Sequence, residues 1–129
     1  MKDIHQQTFQ DCSHKIVGLP YGAFDCWDVA RIFYLNVFGE SLESYSYQDP
    51  NNEELVSTLI DSVKHKYFQV QEPRFGDLML LRIHGLGAHV GVYLDHKSFL
   101  HTTEKTGSII DKTHNWKNKI LGYYRLCQD

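Results

Sequence analysis

The 129-residue sequence has few cysteines and no long apolar run near its start, and both absences narrow the class of protein. Its three cysteines, Cys12, Cys26 and Cys127, are an odd number without paired spacing, so we expect no disulfide framework. Residues 1–20 lack a long apolar run, so we expect neither a secretory signal peptide nor a membrane-spanning helix. We therefore expect a chain that is made in the cytoplasm.

The sequence also has no excess of positive charge, which limits the kinds of binding partner that we expect. The formal net charge is -3, which gives no general electrostatic case for nucleic acid or an anionic membrane as a partner. Hydrophobic residues make up 42% of the chain and charged residues 22%, a globular composition that fits one domain over residues 1–129. Eight histidines are a high count for this length and raise the question of metal binding or catalysis.

Apolar spacing predicts helices in the first half of the chain and strands in the second. Helical patterns cover residues 5–15, the stretch that follows Cys26 and ends at Gly39, and residues 51–65, with an irregular connection over 41–50. Short apolar or alternating runs predict strands over residues 77–83, 89–94, 98–102 and 120–126. Helices followed by antiparallel strands predict an α+β fold in which the helices pack on one face of the sheet.

Cys26 stands where a turn runs into a helical stretch, in the segment "GLPYGAFDCWDVARIF". Free backbone N–H groups and the positive end of the dipole at a helix N-terminus stabilise a thiolate. With a neighbouring imidazole, such a position lowers the pKa of a cysteine to about 3.5–7.5. Position alone leaves two interpretations open, a reactive nucleophile or a small apolar side chain in the core. Cys12 and Cys127 lack this context, so we expect structural roles for both.

Two histidines, His89 and His101, lie twelve residues apart in predicted strands, with Asp95 at the midpoint. A hairpin whose loop is residues 94–96 puts them directly opposite each other on one face, with Cβ atoms about 4.5–5.5 Å apart. One imidazole then orients the other, as the third group does in a nucleophile–base–orienter triad. The alternative is a pair of polar residues on the solvated face of a sheet.

Five segments, taken in order, resemble the NlpC-type cysteine peptidases, which are cell-wall endopeptidases with a compact papain-like fold. The segments are "PYGAFDCWDVARIFY", "RFGDLMLL", "AHVGVYL", "SFLHT" and "GYYR", and together they span about residues 14–125. The resemblance implies that Cys26 is the nucleophile, His89 the base and His101 the third polar residue of the site. It also implies that Tyr21 helps to stabilise the oxyanion. Trp27-Asp28, where many members have Ser-Gly, resembles the branch associated with phage tails.

The same resemblance implies the reaction and the partners. It implies acyl transfer through the Cys26 thiolate, held by His89 as an ion pair, without a cofactor or a metal. The implied substrate is a stem peptide of peptidoglycan, cut between the γ-carboxyl of D-glutamate and a diamino acid. A chain without a leader then needs a phage tail or a secretion machine to carry it to the cell wall.

Three alternatives stay open at this point. A papain-like thiol site also serves amidases and acyltransferases. The chain could instead be a non-catalytic tail or assembly component that has kept the fold. Finally, Cys26, His89 and His101 are residue types that bind zinc, although the sequence has no close-spaced ligand pair such as C-x-x-C.

Overall fold

A computed structural model of the chain describes residues 4–43, 66–83 and 87–127. Helix α1 spans Ile4–Cys12 and helix α2 spans Cys26–Phe38, and two 3₁₀ segments cover Ser13–Lys15 and Thr113–Lys119. The strands are β1 (Tyr67–Val70), β2 (Leu78–Ile83), β3 (Gly87–Tyr93), β4 (Ser98–Thr103), β5 (Gly107–Lys112) and β6 (Ile120–Leu126). The helix predicted over residues 51–65, and most of the predicted connection before it, lie outside the described residues. No helix in the described ranges is long and apolar enough to cross a membrane.

The strands form one antiparallel sheet in the order β1-β6-β2-β3-β4-β5, so the predicted α+β fold is confirmed. The four predicted strands correspond to β2, β3, β4 and β6. Strands β1 and β5, which occupy the two edges of the sheet, are not among the predicted strands. Only one residue of each edge strand is fully buried, Tyr67 in β1 and Ser108 in β5, so neither strand has the apolar run by which an inner strand is recognised.

Capping interactions within the local sequence fix both ends of helix α2. The Asp25 carboxylate accepts the backbone N–H of Asp28 at 2.9 Å, and the Asp28 carboxylate accepts the backbone N–H of Asp25 at 3.1 Å. This reciprocal capping box makes Cys26 the first residue of the helix. At the other end, Gly39 has a left-handed conformation with φ of 69° and donates its N–H to the Leu35 carbonyl, as a helix stop does.

Apolar side chains are buried on both faces of the sheet. On one face, which we call the helix-side core, α2 packs against alternate strand residues: Leu78, Leu80, Val90, Val92 and Leu100. The intervening residues Met79, Leu81 and Phe99 form the far-side core with Trp116, Ile120 and Tyr123. The helices therefore lie on one face, as predicted, while the 3₁₀ segment that carries Trp116 packs on the other.

Candidate active site

The two histidines of the predicted site lie on neighbouring strands, His89 on β3 and His101 on β4. The β3–β4 ladder pairs Tyr93 with Phe99, which makes His89 diagonal to His101 and not directly opposite. The predicted pairing is therefore wrong by two residues. Because an even shift preserves the side of the sheet to which a side chain points, both imidazoles still lie on one face.

Turn chemistry explains the difference in pairing. The Asp95 carboxylate accepts the backbone N–H groups of Lys97 at 2.8 Å and Ser98 at 2.9 Å. The backbone N–H of Leu94 bonds to the Ser98 carbonyl, so Leu94 belongs to the strand pairing and not to the loop. Asp95 is thus the first residue of the turn, whereas the twelve-residue spacing of the histidines predicts it at the centre.

The imidazoles of His89 and His101 are buried and hydrogen-bonded to each other. Nε2 of His89 lies 2.9 Å from Nδ1 of His101. The two residues are 3% and 1% exposed, so solvent has almost no access to this bond. Trp116 stacks on His89 with ring centroids 6.0 Å apart and meets His101 edge-on at 5.0 Å. Since His89 uses Nε2 for this bond, Nδ1 is its second ring nitrogen and the one left for a reacting group.

A carboxylate that sequence analysis missed completes this group of side chains. Oδ2 of Asp111 lies 2.8 Å from Nε2 of His101 and accepts the Trp116 indole N–H at 3.0 Å. Asp111 lies on β5, where the β4–β5 register pairs Phe99 with Asp111 and His101 with Ile109. The even spacing of ten residues from His101 to Asp111 could have indicated a shared face, but only once β5 was recognised as a strand.

Burial sets the protonation of these three groups. Burial and, to a smaller extent, the charge that His101 carries when protonated together lower the pKa of His89 to about 3. Burial also lowers the pKa of His101, and the hydrogen bond to Asp111 only partly offsets this. Burial alone would raise the pKa of Asp111, but its hydrogen bonds, with His101 first among them, hold that pKa below its usual value. At neutral pH the site therefore holds two neutral imidazoles and one carboxylate.

Cys26 lies at the N-terminus of α2, buried in the helix-side core. Its sulfur is hydrogen-bonded by the backbone N–H groups of Val90 and Trp27, and Val90 directly follows His89 on β3. The ion pair that the resemblance implies needs a contact between Cys26 and the His89 ring. Among the described residues this contact is not formed as a hydrogen bond, and the partner of that ring is His101. Val90 packs in the helix-side core with Cys26, whereas the His89 ring packs against Trp116.

The pKa of the Cys26 thiol also differs from the prediction. Burial raises it to about 12, and the charges of Asp25 and Asp28 act in the same direction. The N–H groups of Val90 and Trp27 lower it, as the helix N-terminus predicts, but they do not outweigh burial. In the substrate-free chain Cys26 is therefore a neutral thiol and not the thiolate that the family resemblance implies.

Tyr21, the predicted oxyanion residue, lies in the turn over residues 21–23 and is half-buried. The Pro20 carbonyl accepts the backbone N–H groups of Ala23 and Phe24, and this turn leads the chain into the cap of α2. The turn thus keeps Tyr21 on the segment that enters the Cys26 helix. Its role at the oxyanion stays a prediction.

The zinc alternative requires Cys26, His89 and His101 to converge on one point. Within residues 4–43, 66–83 and 87–127, no group of three or more His, Cys, Asp or Glu side chains is arranged to hold a metal ion. Both ring nitrogens of His101 already take part in hydrogen bonds, one with His89 and one with Asp111. The donor set therefore does not fit a bound zinc ion in this arrangement.

The buried neutral histidines predict that stability falls as the pH falls. An unfolded histidine has a pKa of about 6.5, whereas His89 in the folded chain stays unprotonated down to about 3. Between these values the unfolded state binds the extra proton. The free energy of unfolding should therefore fall by about 1.4 kcal/mol per pH unit for each such histidine. Urea unfolding between pH 7 and pH 4.5 measures this slope.

His89→Gln should reduce that slope by one proton, and His14→Gln, which changes an exposed side chain, serves as the matched control. Burial raises the pKa of Asp25 to about 6, so this carboxyl opposes the trend over part of the range. Comparing variants removes its contribution, since every variant retains it. A slope that His89→Gln leaves unchanged would show that His89 is not held neutral in the folded chain.

Comparison with known protein sequences places the chain in a family. The profile of the NlpC/P60 family matches residues 9–125. The murein DD-endopeptidase MepS/murein LD-carboxypeptidase of Escherichia coli (strain K12) is 25% identical over 108 residues, which cover 82% of this chain and 51% of the relative. The corresponding protein of Escherichia coli O157:H7 matches to the same extent. The chain thus spans about half the length of the curated relatives it matches.

Two solved structures share the fold. One is a Staphylococcus aureus subsp. aureus Mu50 protein described as similar to a lipoprotein of the NLP/P60 family. It has a TM-score of 0.67 and 20% identity, and the match covers 100% of this chain and 43% of that one. The other is the NlpC/p60 domain of the peptidoglycan hydrolase SagA, with a TM-score of 0.58, 16% identity and coverage of 95% and 98%. With its sequence matched over residues 9–125 and its α+β fold shared with both structures, the chain belongs to the NlpC/P60 family.

Proposed function

We propose that the chain is a cysteine endopeptidase of the bacterial cell wall, in which Cys26 is the nucleophile, His89 the base and His101 the residue that orients the base. The observation that carries the proposal is the buried pair of imidazoles joined at 2.9 Å, together with the position of His89 directly before Val90, whose backbone N–H hydrogen-bonds the Cys26 sulfur. A nucleophile at a helix start, together with a base that a third group orients, is an arrangement suited to acyl transfer.

In the proposed reaction, proton transfer accompanies the attack on the substrate. Because burial raises the pKa of Cys26 and lowers that of His89, the resting pair is neutral, and the ion pair that the family resemblance implies is not its resting form. Nδ1 of His89 takes the thiol proton as the sulfur bonds to the peptide carbonyl carbon. Catalytic hydrogen bonds are often long before substrate binds, so we place closure of the Cys26–His89 contact in the substrate complex.

The remaining steps return both groups to their starting state. His89 gives its proton to the departing amine as the C–N bond breaks, which leaves a thioester on Cys26. A water molecule then loses a proton to His89 and attacks the thioester carbonyl. The C–S bond breaks, the sulfur regains the proton from His89, and the peptide leaves with a new carboxyl group.

The oxyanion of each tetrahedral intermediate needs donors close to Cys26. We assign this role to the backbone N–H of Cys26 at the start of α2 and to the hydroxyl of Tyr21. Free N–H groups of a helix N-terminus point towards such a charge and are aligned before the reaction. The position of Tyr21 in the turn before the helix supports its part in this assignment.

A stem peptide of peptidoglycan is the proposed substrate, since the names of the relatives include a murein endopeptidase and a peptidoglycan hydrolase. We propose a cut between the γ-carboxyl of D-glutamate and the diamino acid. A second candidate is the D,D bond of the peptide cross-link, which the name murein DD-endopeptidase favours.

For the route to this substrate we propose a carrier, either a phage tail or a secretion machine. The feature that supports the phage-tail branch is Trp27-Asp28 directly after the nucleophile. In this chain Trp27 is buried and donates its indole N–H to the Glu43 carbonyl, while Asp28 belongs to the capping box. Both residues thus take part in holding the helix that presents Cys26.

Digestion of purified sacculi, from one species with diaminopimelate and one with lysine in the stem peptide, tests the proposed function. Chromatography with mass spectrometry should show new amino termini on the diamino acid, whereas a D,D cut would convert cross-linked dimers into monomers. Release of whole stem peptides from the glycan would instead support the amidase alternative. Sacculi left unchanged in both preparations would contradict the enzyme and favour the non-catalytic component.

A further inference from the structure

We propose that Asp111 is a positioning residue that fixes the tautomer of His89 through His101, so that Nδ1 of His89 carries a free lone pair. The distances that join the three side chains are 2.8 Å from Asp111 to His101 and 2.9 Å from His101 to His89. The effect on catalysis rests on the proposed function, but the tautomer itself is a property of the substrate-free chain.

The hydrogen-bond directions follow from which groups can donate. An ionised carboxylate only accepts, and an indole N–H only donates. Asp111 therefore accepts from both Trp116 and His101, and Nε2 of His101 carries a hydrogen. A neutral imidazole has one N–H, so Nδ1 of His101 is an acceptor and must receive its hydrogen bond from Nε2 of His89. The single hydrogen of His89 is then on Nε2, and its Nδ1 is unprotonated.

The surroundings hold Asp111 in this role. Its Oδ1 accepts the backbone N–H of Lys112 at 2.7 Å and contacts the Asn115 amide at 3.4 Å, while Oδ2 receives Trp116 and His101. Both carboxylate oxygens are thus occupied by donors. Because the two imidazoles are almost fully buried, solvent cannot readily replace Asp111 as the acceptor.

The same chain of hydrogen bonds supports His89 after it takes up a proton. The imidazolium keeps its Nε2–H bond to His101, and His101 in turn donates to the negative Asp111. The carboxylate charge thereby stabilises the positive ring without contacting it, and no proton has to leave His101. Asp111 should therefore act mainly on the rate of the bond-making step and little on substrate binding.

Replacement of Asp111 by asparagine reverses the direction of the hydrogen bonds to His101 and His89 only if the amide NH₂ faces His101. In Asp111→Asn alone, the Trp116 N–H and the Lys112 N–H compete for the one remaining oxygen. Adding Trp116→Phe removes the first competitor and keeps an aromatic ring beside the imidazoles. The oxygen then faces Lys112, the NH₂ donates to Nε2 of His101, and the hydrogen of His89 moves to Nδ1. The D111N/W116F double variant is therefore the decisive one, and W116F alone is its matched control.

Nitrogen-15 NMR of labelled histidine distinguishes the two tautomers, and the His89 signals are assigned by their loss in His89→Gln. We expect the Nε2–H tautomer of His89 at pH 7 in the parent and in W116F, and the Nδ1–H tautomer in D111N/W116F. Asp11→Asn, which removes an exposed carboxylate of α1 that accepts a hydrogen bond from Gln7, should leave the His89 signals unchanged.

Kinetics on a soluble muropeptide give the second readout. Relative to W116F, the double variant should lose about 100-fold in kcat with little change in KM. This loss in kcat is smaller than the roughly 10⁴-fold loss seen in a serine protease when the residue that directly contacts the base is changed. An Nδ1–H tautomer of His89 in the parent, or an unchanged tautomer in the folded double variant, would overturn the inference. If the double variant does not fold, the parent spectrum still tests the tautomer of His89. This test does not depend on whether any variant cleaves peptidoglycan.

Discussion

Cys26→Ala should reduce the release of peptides from sacculi by at least about 10³-fold, to the level of a sample without protein, because removing the nucleophile of a catalytic triad costs about this much or more. No thioester can form without the sulfur, and a water molecule has no prepared place from which to attack. Alanine is a good helix former at the first position of α2, and the change removes one buried atom from the helix-side core. Circular dichroism should therefore show a folded chain.

The other two cysteines provide the control. Cys127 is exposed and Cys12 is half-buried, and both lie outside the proposed site. Cys12→Ala and Cys127→Ala should retain the activity of the parent. Equal activity in Cys26→Ala and the parent would rule out a thiol mechanism at this position and leave the family likeness as one of fold.

His89→Gln should lower kcat by about 10²–10⁴-fold, the range that general base catalysis contributes. Glutamine is chosen because its side-chain amide can still donate a hydrogen bond to Nδ1 of His101, so the buried pair keeps its contact. What the variant loses is the lone pair that accepts the thiol proton. The substrate should still bind, and KM should change much less than kcat.

The pH profile separates this loss from a general distortion of the site. Without His89, the thiol has to ionise by itself, and burial raises its pKa to about 12. The residual rate of His89→Gln should then rise about tenfold per pH unit through the alkaline range, while the parent shows no such rise. A variant that keeps the rate of the parent at pH 7 would remove His89 from the role of base.

Much of the fold follows from local sequence, because its determinants are local. The Asp25–Asp28 box and Gly39 fix the two ends of α2 through contacts within the helix and its caps. The inner strands have apolar residues that face both cores, so they stand out in the sequence. The edge strands β1 and β5 do not, since most of their side chains are only partly buried or exposed.

The candidate site is less readable from sequence, because it depends on contacts between distant residues. The even spacing of His89 and His101 is enough to put both rings on one face, although the register depends on how Asp95 caps its turn. Asp111 becomes visible only when β5 is paired with β4. The raised pKa of Cys26 follows from its burial in the folded chain, which its position at a helix start does not reveal.

The central claim is covalent catalysis by Cys26, and the mass of the protein during turnover tests it most directly. A soluble muropeptide is mixed with the chain, the reaction is stopped in acid within the first turnovers, and tryptic peptides are analysed by mass spectrometry. Trypsin separates the three cysteines, with Cys26 in the peptide of residues 16–31. We expect the acyl fragment of the substrate on that peptide, as a thioester that hydroxylamine removes. Products that accumulate while this peptide stays unmodified, or a thioester on Cys12 or Cys127, would contradict the account.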